Sequence, residues 1–373
     1  MSRRLILFGA FDRHNFGDLL LAHCAAALQA ERELVFAGLA ARDLRPWGGH
    51  AVRPLAEVVE RHGHEPADVL HVGGEILTTT AWEAAVMLQE PAEASRVIAR
   101  FEHDPAGRRA WADQVLGHSR ALPYVIGRHD LPDGWTIGFT AVGGAAFDAL
   151  SVRARDEVLR ALGSAASVSV RDRITQSVLQ RGGVHAALVV DPAARTRELF
   201  GDRIAQHCAG PAFTALRQRA TRWLALQIAA EWGDDRSLAR VARAAVEVAR
   251  ARGAGIVLFC AGLAPWHDDP DVVRRLAGRI SDCAPEVAVD IFPSRHVFDL
   301  CALLAQADAF LGTSLHGWIV ARSFGVPALC LVADRAAKPA AYIDTWGGTV
   351  GGAWATPDEL PARCAQLGVE SHA

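Results

Sequence analysis

FLGTSLHGWIVARSFGVPALCLV, residues Phe310–Val332, reads as a buried strand, a glycine-flanked turn, a short helix and a second buried strand. The turn is Gly312-Thr313-Ser314-Leu315-His316-Gly317, and Gly325-Val326-Pro327 leads into the second strand. Strand, helix, strand is the repeat of a parallel α/β sheet, in which ligands meet the loops leaving the strand C-terminal ends. The first N–H groups of the following helix have no partner within it, and the helix dipole adds partial positive charge, so this turn favours a phosphate or carboxylate. His316 is then either a half-buried capping histidine or a group presented to that ligand.

The pattern repeats outward in both directions. Leu5–Phe11 is an apolar run of strand length that gives way to Asp12-Arg13-His14-Asn15-Phe16-Gly17-Asp18 and a helical pattern. Strands follow at Glu33–Ala40, Ala67–Val72, Leu122–Gly127, Thr136–Thr140, Ser167–Val170 and Ala187–Val190, with helices at Leu55–His62, Val152–Leu162 and Thr175–Gln180. Thr80–Leu116 is helical, broken by Pro91 and Pro105. A second series runs through strands Trp223–Ala230, Ile256–Cys260, Val287–Phe292, Ala309–Gly312 and Ala328–Val332, alternating with helices such as Ser237–Arg252. The expected fold class is α/β, two Rossmann-like doubly wound domains facing a cleft. The first covers residues 1–194 and the second 223–373, with 195–222, which shows no strand pattern, as a connector.

Composition narrows the function. With 373 residues, 51% hydrophobic and 22% charged, the chain can fill two cores. A net charge of -3 lacks the basic excess of a nucleic-acid binder. Seven cysteines stand scattered, odd in number and without C-x-x-C spacing, which indicates reduced thiols and a cytoplasmic protein. The fifteen histidines show no H-x-x-x-H or H-E-x-x-H spacing with carboxylate support, so no metal site is expected. The N-terminal apolar run ends at Asp12 after about seven residues, too short for a signal or a membrane span. No G-x-G-x-x-G follows the first strand, so the dinucleotide fingerprint is absent.

Ionisable residues recur at strand ends. Asn15 and Asp18 are either caps of the first helix or an amide and a carboxylate that grip a sugar hydroxyl. Glu75, beyond Gly73-Gly74, is a solvated loop carboxylate, a general base or a hydroxyl ligand. Arg171 pairs on the surface with Asp172 or Glu198, or its planar fork joins the His316 turn in holding a small dianion. Trp82, Trp135, Trp266 and Trp346 are candidates to stack on sugar faces.

Asn15-Phe16-Gly17-Asp18, Gly73-Gly74, Ser169-Val170-Arg171-Asp172, Asp191-Pro192, and Ser314-Leu315-His316-Gly317 with Gly325-Val326-Pro327 together resemble the polysaccharide pyruvyl transferase family, in order and over nearly the whole chain. The resemblance implies a fold similar to the two-domain GT-B glycosyltransferases. It also implies transfer of a three-carbon unit from phosphoenolpyruvate to a sugar as a cyclic ketal, with no cofactor. By position, His316 matches the family histidine that meets the donor and is the candidate general acid; Arg171 matches the arginine that grips phosphoenolpyruvate. Asn15 and Asp18, with Glu75, fall on the acceptor side. Where many members carry Arg just before Leu-His-Gly, this chain has Ser314, so Ser314 and Leu315 with Arg295 or His296 of the neighbouring loop form the implied donor site. The partners implied are a small anionic donor and a carbohydrate acceptor, with room for peripheral contact with a membrane-linked acceptor. Two alternatives stand beside this: a GT-B-type glycosyltransferase using a nucleotide sugar, and a non-catalytic binding protein on the same scaffold.

Overall fold

The computed structural model describes residues 3–334, 337–347 and 352–369. The chain divides into two compact units, Met1–Pro192 and Ala193–Ala373. Each is a twisted, mostly parallel sheet flanked by helices.

In unit 1 the strands are β1 (Arg4–Phe8), β2 (Leu34–Gly38), β3 (Arg42–Asp43), β4 (Ala51–Pro54), β5 (Ala67–Gly74), β6 (Thr136–Val142), β7 (Ser167–Val170) and β8 (Ala187–Leu188). The helices are α1 (Phe16–Leu28), α2 (Leu55–His62), α3 (Ala81–Met87), α4 (Pro91–Arg100), α5 (Pro105–Leu116), α6 (Val152–Gly163) and α7 (Arg173–Arg181). Sheet order is β3-β4-β2-β1-β5-β6-β7-β8, parallel except for the β3–β4 pair. The chain leaves β1 in one direction to β2 and resumes on its other side at β5. That reversal makes the C-terminal edge between β1 and β5 the topological switch point, where a doubly wound sheet opens a crevice for a ligand.

Apolar faces of these strands explain the core: Ile6, Phe8, Val69, Ile137 and Phe139 are buried beneath Val158 and Leu162 of α6. His71, inside β5, is fully buried and neutral. Its Nδ1 contacts the Gly138 carbonyl at 3.1 Å, and its Nε2 accepts from Ile126 N–H at 3.2 Å. Burial lowers its pKa to about 3.

Leu122–Gly127 forms no strand. Its apolar side chains are buried as expected, but its backbone donors are satisfied locally or by side chains: Leu122 N–H by Glu157, Val125 N–H by the Leu122 carbonyl, Ile126 N–H by His71 and Gly127 N–H by Asp130. With those groups satisfied locally, no ladder forms.

Unit 2 opens with two helices where a connector was expected, α8 (Thr196–Cys208) and α9 (Pro211–Arg217). Its strands are β9 (Trp223–Gln227), β10 (Gly255–Leu258), β11 (Val289–Ile291), β12 (Ala309–Gly312), β13 (Ala328–Leu331) and β14 (Gly352–Ala355). Helices α10 (Asp235–Arg252), α11 (Pro270–Cys283), α12 (Val297–Ala305), α13 (Leu315–Ser323), α14 (Lys338–Trp346) and α15 (Leu360–Val369) complete it. Order β11-β10-β9-β12-β13-β14 puts this switch point between β9 and β12. Crossovers of the usual right-handed kind on the two sides of a switch point send their helices to opposite faces. Accordingly α10 packs with α11 and α15, and α12 with α8 and α13. No helix among the described residues is long and apolar enough to cross a membrane.

Candidate functional site

At the unit 2 switch point the organising residue is one that sequence patterning passed over. Gln227 ends the apolar strand β9 and is only 2% exposed. Its Oε1 accepts from the Ser314 N–H at 2.8 Å and the Thr313 hydroxyl at 3.1 Å, while its Nε2 donates to Asp268 at 2.7 Å. Thr313 Oγ1 in turn accepts from Ala229 N–H at 3.0 Å. The turn approaches β9 so closely that a Cβ on Gly312 would lie 2.6 Å from the Gln227 carbonyl oxygen, which explains the glycine. Ser314 caps α13 by accepting from Gly317 N–H at 3.1 Å, and this places His316 in the first turn of α13, half-buried at the C-terminal edge of the sheet.

Beside it, residues 261–268 form a tight loop after β10. Asp268 closes the loop by accepting from Ala261 N–H at 2.6 Å while its own N–H donates to the Gly262 carbonyl at 3.0 Å. Ala230 N–H donates to the His267 carbonyl at 2.7 Å, fastening the loop to the end of β9. Burial pushes the Asp268 carboxyl up to about 7 against the pull of these N–H groups. Cys260 at the root of the loop is raised to about 11, by burial first and then Asp268, with Arg295 pulling the other way. Arg295 follows β11, the parallel neighbour of β10, at the same C-terminal edge of the sheet.

His296 stands at the start of α12. It caps α12, its Nδ1 accepting from Phe298 N–H at 3.2 Å, and its ring stacks on His207 of α8 at 4.8 Å. His207 Nδ1 lies 2.6 Å from Asp299, which also accepts from the Ser294 hydroxyl at 2.5 Å. The ligand atoms of His207, His296 and Asp299 lie within 4.8 Å of one another, a grouping that histidine spacing could not reveal. Both Nδ1 atoms are already engaged in these hydrogen bonds, so the trio fastens α8 to α12.

At the unit 1 switch point, Asn15 is the N-cap of α1, accepting from Gly17 N–H at 2.9 Å and Asp18 N–H at 3.2 Å. Asp18 lies 3.4 Å from Arg13, whose other arm donates to the Tyr124 hydroxyl at 3.2 Å. Tyr124 donates to Asp12 at 2.9 Å, and Asp12 also accepts from Leu39 and Ala40 N–H. Burial pushes the Asp12 carboxyl above its ordinary range, against the opposing pull of Arg13. Across the crevice Gly73 and Gly74 have φ of +26° and +74°, and a Cβ on Gly74 would stand 3.0 Å from Asp18 Oδ1. Only glycine gives both that backbone and that clearance. Asp12, Arg13 and Tyr124 were missed because Tyr124 joins them from more than a hundred residues away.

Glu75 and Arg171 meet. Arg171 donates to Glu75 at 2.9 Å and to Asp191 at 3.0 Å and is 4% exposed; Glu75 also accepts from Ala145 N–H at 2.8 Å. The two carboxylates hold the guanidinium above its usual pKa although burial alone would lower it. The three charges sum to minus one. Arg171 is thus a buried brace of Glu75 and not a surface partner of Glu198. Asp172 caps α7 through Thr175 N–H at 2.7 Å, and the Thr175 hydroxyl accepts from Gly144 N–H at 2.9 Å.

Of the four tryptophans proposed to stack on sugars, Trp135 is buried and Trp82 packs on Trp111 and Phe101. Trp346 and Trp266 are exposed, at 39% and 47%.

No curated protein matches the chain. Among solved structures it is similar to the UDP-GlcNAc 2-epimerase of Methanocaldococcus jannaschii (12% identity, 99% of this chain and 93% of that one, TM-score 0.58). It is also similar to S. aureus MnaA, solved with UDP (14% identity, 99% and 88%, TM-score 0.56). At such identity the likeness is one of fold, and that fold is GT-B. Residues 140–335, just over half of the chain, match the polysaccharide pyruvyl transferase family. That stretch contains Arg171, Asp191, Gln227, Asp268 and the Ser314–His316 turn, and the chain is accordingly a transferase belonging to the polysaccharide pyruvyl transferase family.

Proposed function

We propose that the protein transfers the three-carbon unit of phosphoenolpyruvate to two hydroxyls of a sugar, forming a cyclic ketal and releasing phosphate. The observation that carries this reading is the position of His316. It stands in the first turn of α13, at a switch point braced by Gln227 and inside the stretch that matches the family.

An imidazole in this position suits the chemistry, because the enol methylene must be protonated near neutral pH. Protonation of that carbon by His316 develops an oxocarbenium-like centre at C2. A sugar hydroxyl adds there and returns a proton to His316; a second hydroxyl then attacks C2 and closes the ring as phosphate leaves with the C–O bonding pair and carries off that hydroxyl's proton. The donor's charged groups meet the α13 N-terminus and Arg295, which compensate for Ser314 standing where many relatives carry arginine. Unit 2 is thus the donor side. Unit 1 takes the acceptor: Asp18 and Asn15 face the crevice beside Gly74, and Glu75 is held in place by Arg171. Phosphoenolpyruvate is a cytoplasmic metabolite, so the reading places the enzyme in that compartment and requires no cofactor.

Calorimetric titration tests the donor. Phosphoenolpyruvate should bind saturably to wild type and to His316→Gln, while phosphate release with a sugar acceptor is lost in the variant by about 100-fold or more. Binding of a nucleotide or nucleotide sugar without phosphoenolpyruvate binding would transfer the site to glycosyl transfer and overturn the proposal.

A further inference from the structure

Trp266 combines two properties that rarely coincide. It is a bulky residue with φ +66°, in the left-handed region that side chains avoid, and it is 47% exposed. Such a backbone persists only where its surroundings over-determine it, and here they do. Asp268 clasps the loop at Ala261 and Gly262, His267 N–H donates to the Ala264 carbonyl at 3.1 Å, and Ala230 N–H holds the His267 carbonyl. Gly262 packs against His267, where a Cβ would come within 3.1 Å of the His267 Cβ and 3.2 Å of its ring. The indole is therefore presented to solvent from a rigid base, at the C-terminal edge of the sheet. The same Asp268 that closes the loop reaches through Gln227 to the Ser314 N–H, so one hydrogen-bonded chain sets both Trp266 and the His316 turn.

A flat, exposed aromatic on a fixed loop matches the apolar C–H face of a pyranose ring, whose hydroxyls point outward from that face to polar partners. Packing does not require the tryptophan: glycine at 266 would relieve the backbone, as it does at other positive-φ positions of this chain such as Gly253 and Gly325. An exposed aromatic held in a backbone that it disfavours, at a ligand edge, is placed for contact.

We infer that Trp266 is a stacking platform for a saccharide pyranose ring on unit 2, a subsite additional to the acceptor groups of unit 1, with Asp268 and Gln227 fixing it relative to the His316 turn. The assignment rests on the ketal-transfer reading for which saccharide is bound, and it can fail separately from that reading. The test screens wild type, Trp266→Ala, Trp266→Phe and Trp266→Gly on a printed array of hexose- and N-acetylhexosamine-terminated oligosaccharides. The strongest binder is then titrated, with phosphoenolpyruvate titrated in parallel. Saccharide affinity should fall by about tenfold or more in Trp266→Ala and Trp266→Gly and return largely in Trp266→Phe, with phosphoenolpyruvate affinity unchanged. Thermal stability of Trp266→Gly should equal or exceed wild type, which a packing role would not allow. Wild-type saccharide affinity in Trp266→Ala, or an array on which wild type binds no saccharide, overturns the platform. Saccharide binding that depends on Trp266 without any phosphoenolpyruvate binding would keep the platform and reject the donor.

Discussion

Replacing Arg171 with methionine removes the one cation from a buried cluster while roughly conserving volume. The guanidinium stands 2.9 Å from Glu75 and 3.0 Å from Asp191, and the three side chains are 5%, 12% and 0% exposed. At an effective dielectric near 20, each contact at that separation represents roughly 5 kcal/mol of attraction. Most of this offsets the cost of taking three charges out of water, but removing a single partner leaves the others uncompensated, at about 3–5 kcal/mol. The sign with pH follows. Without the cation, burial of Asp191, whose side chain is 0% exposed, should favour its neutral form and so raise its carboxyl above the unfolded value of ~4 in the variant. A carboxyl raised in this way favours the fold below ~4 and opposes it as pH rises through the folded value. Arg171→Met should therefore lose about 3–5 kcal/mol at a pH of about 8 and visibly less at about 5. The triple variant Glu75→Gln, Arg171→Met, Asp191→Asn should recover most of the loss. Urea unfolding followed by hydrogen exchange in peptides covering Thr136–Val142 and Ser167–Val170 reads this in unit 1 alone. A loss under ~1 kcal/mol at the higher pH, the range of exposed pairs, or an equal loss at both, would refute the buried-brace account.

Two further expectations are independent of that cluster. His71 is neutral in the fold, with its pKa lowered to about 3 from 6.5, so its stabilising share is fully present above ~6.5 and is lost as pH falls toward ~3. His71→Gln should flatten the acid limb of the unit 1 stability curve by up to ~1.4 kcal/mol per pH unit; a curve of unchanged slope counts against the buried neutral imidazole. Gly143→Ala would thrust a methyl into the Glu75–Arg171 pair, 2.9 Å from the Arg171 guanidinium, and should cost ~1–3 kcal/mol by urea titration, whereas a silent substitution would mean the pair is loosely held.

The parallel α/β organisation is plain in the sequence, because apolar runs of strand length end repeatedly in glycine and polar turns. Ser167–Val170 and Ala309–Gly312 are found at the expected residues. Leu122–Gly127 misleads for a physical reason: its apolar side chains are buried like a strand's, while Glu157 and His71 take its backbone donors, and periodicity cannot register that. Residues 195–222 have no strand pattern because they are helical. At the site, strand-end position raised Asn15, Asp18, Glu75, Arg171 and His316 as candidates, and the family resemblance gave Asn15, Asp18, Arg171 and His316 their expected roles. Position could not distinguish a cation facing a ligand from one enclosed by two carboxylates, as Arg171 is. Gln227 reads as a lone polar residue closing an apolar strand, and its significance lies in three partners drawn from two other loops. Trp266 could be named as an aromatic in a loop, but its left-handed backbone is set by Asp268, Ala261 and Gly262 together.

The chain has two tyrosines, Tyr124 and Tyr342, and the fold buries one in each unit. Tyr124 holds Asp12 and Arg13 at the unit 1 crevice, while Tyr342 packs edge-on against Trp318 of α13, two residues beyond His316. Fluorotyrosine incorporated throughout the protein would thus yield two resonances, one reporting from each edge. An acceptor saccharide and an anionic donor, added separately, become distinguishable by which resonance moves, before any turnover is detected.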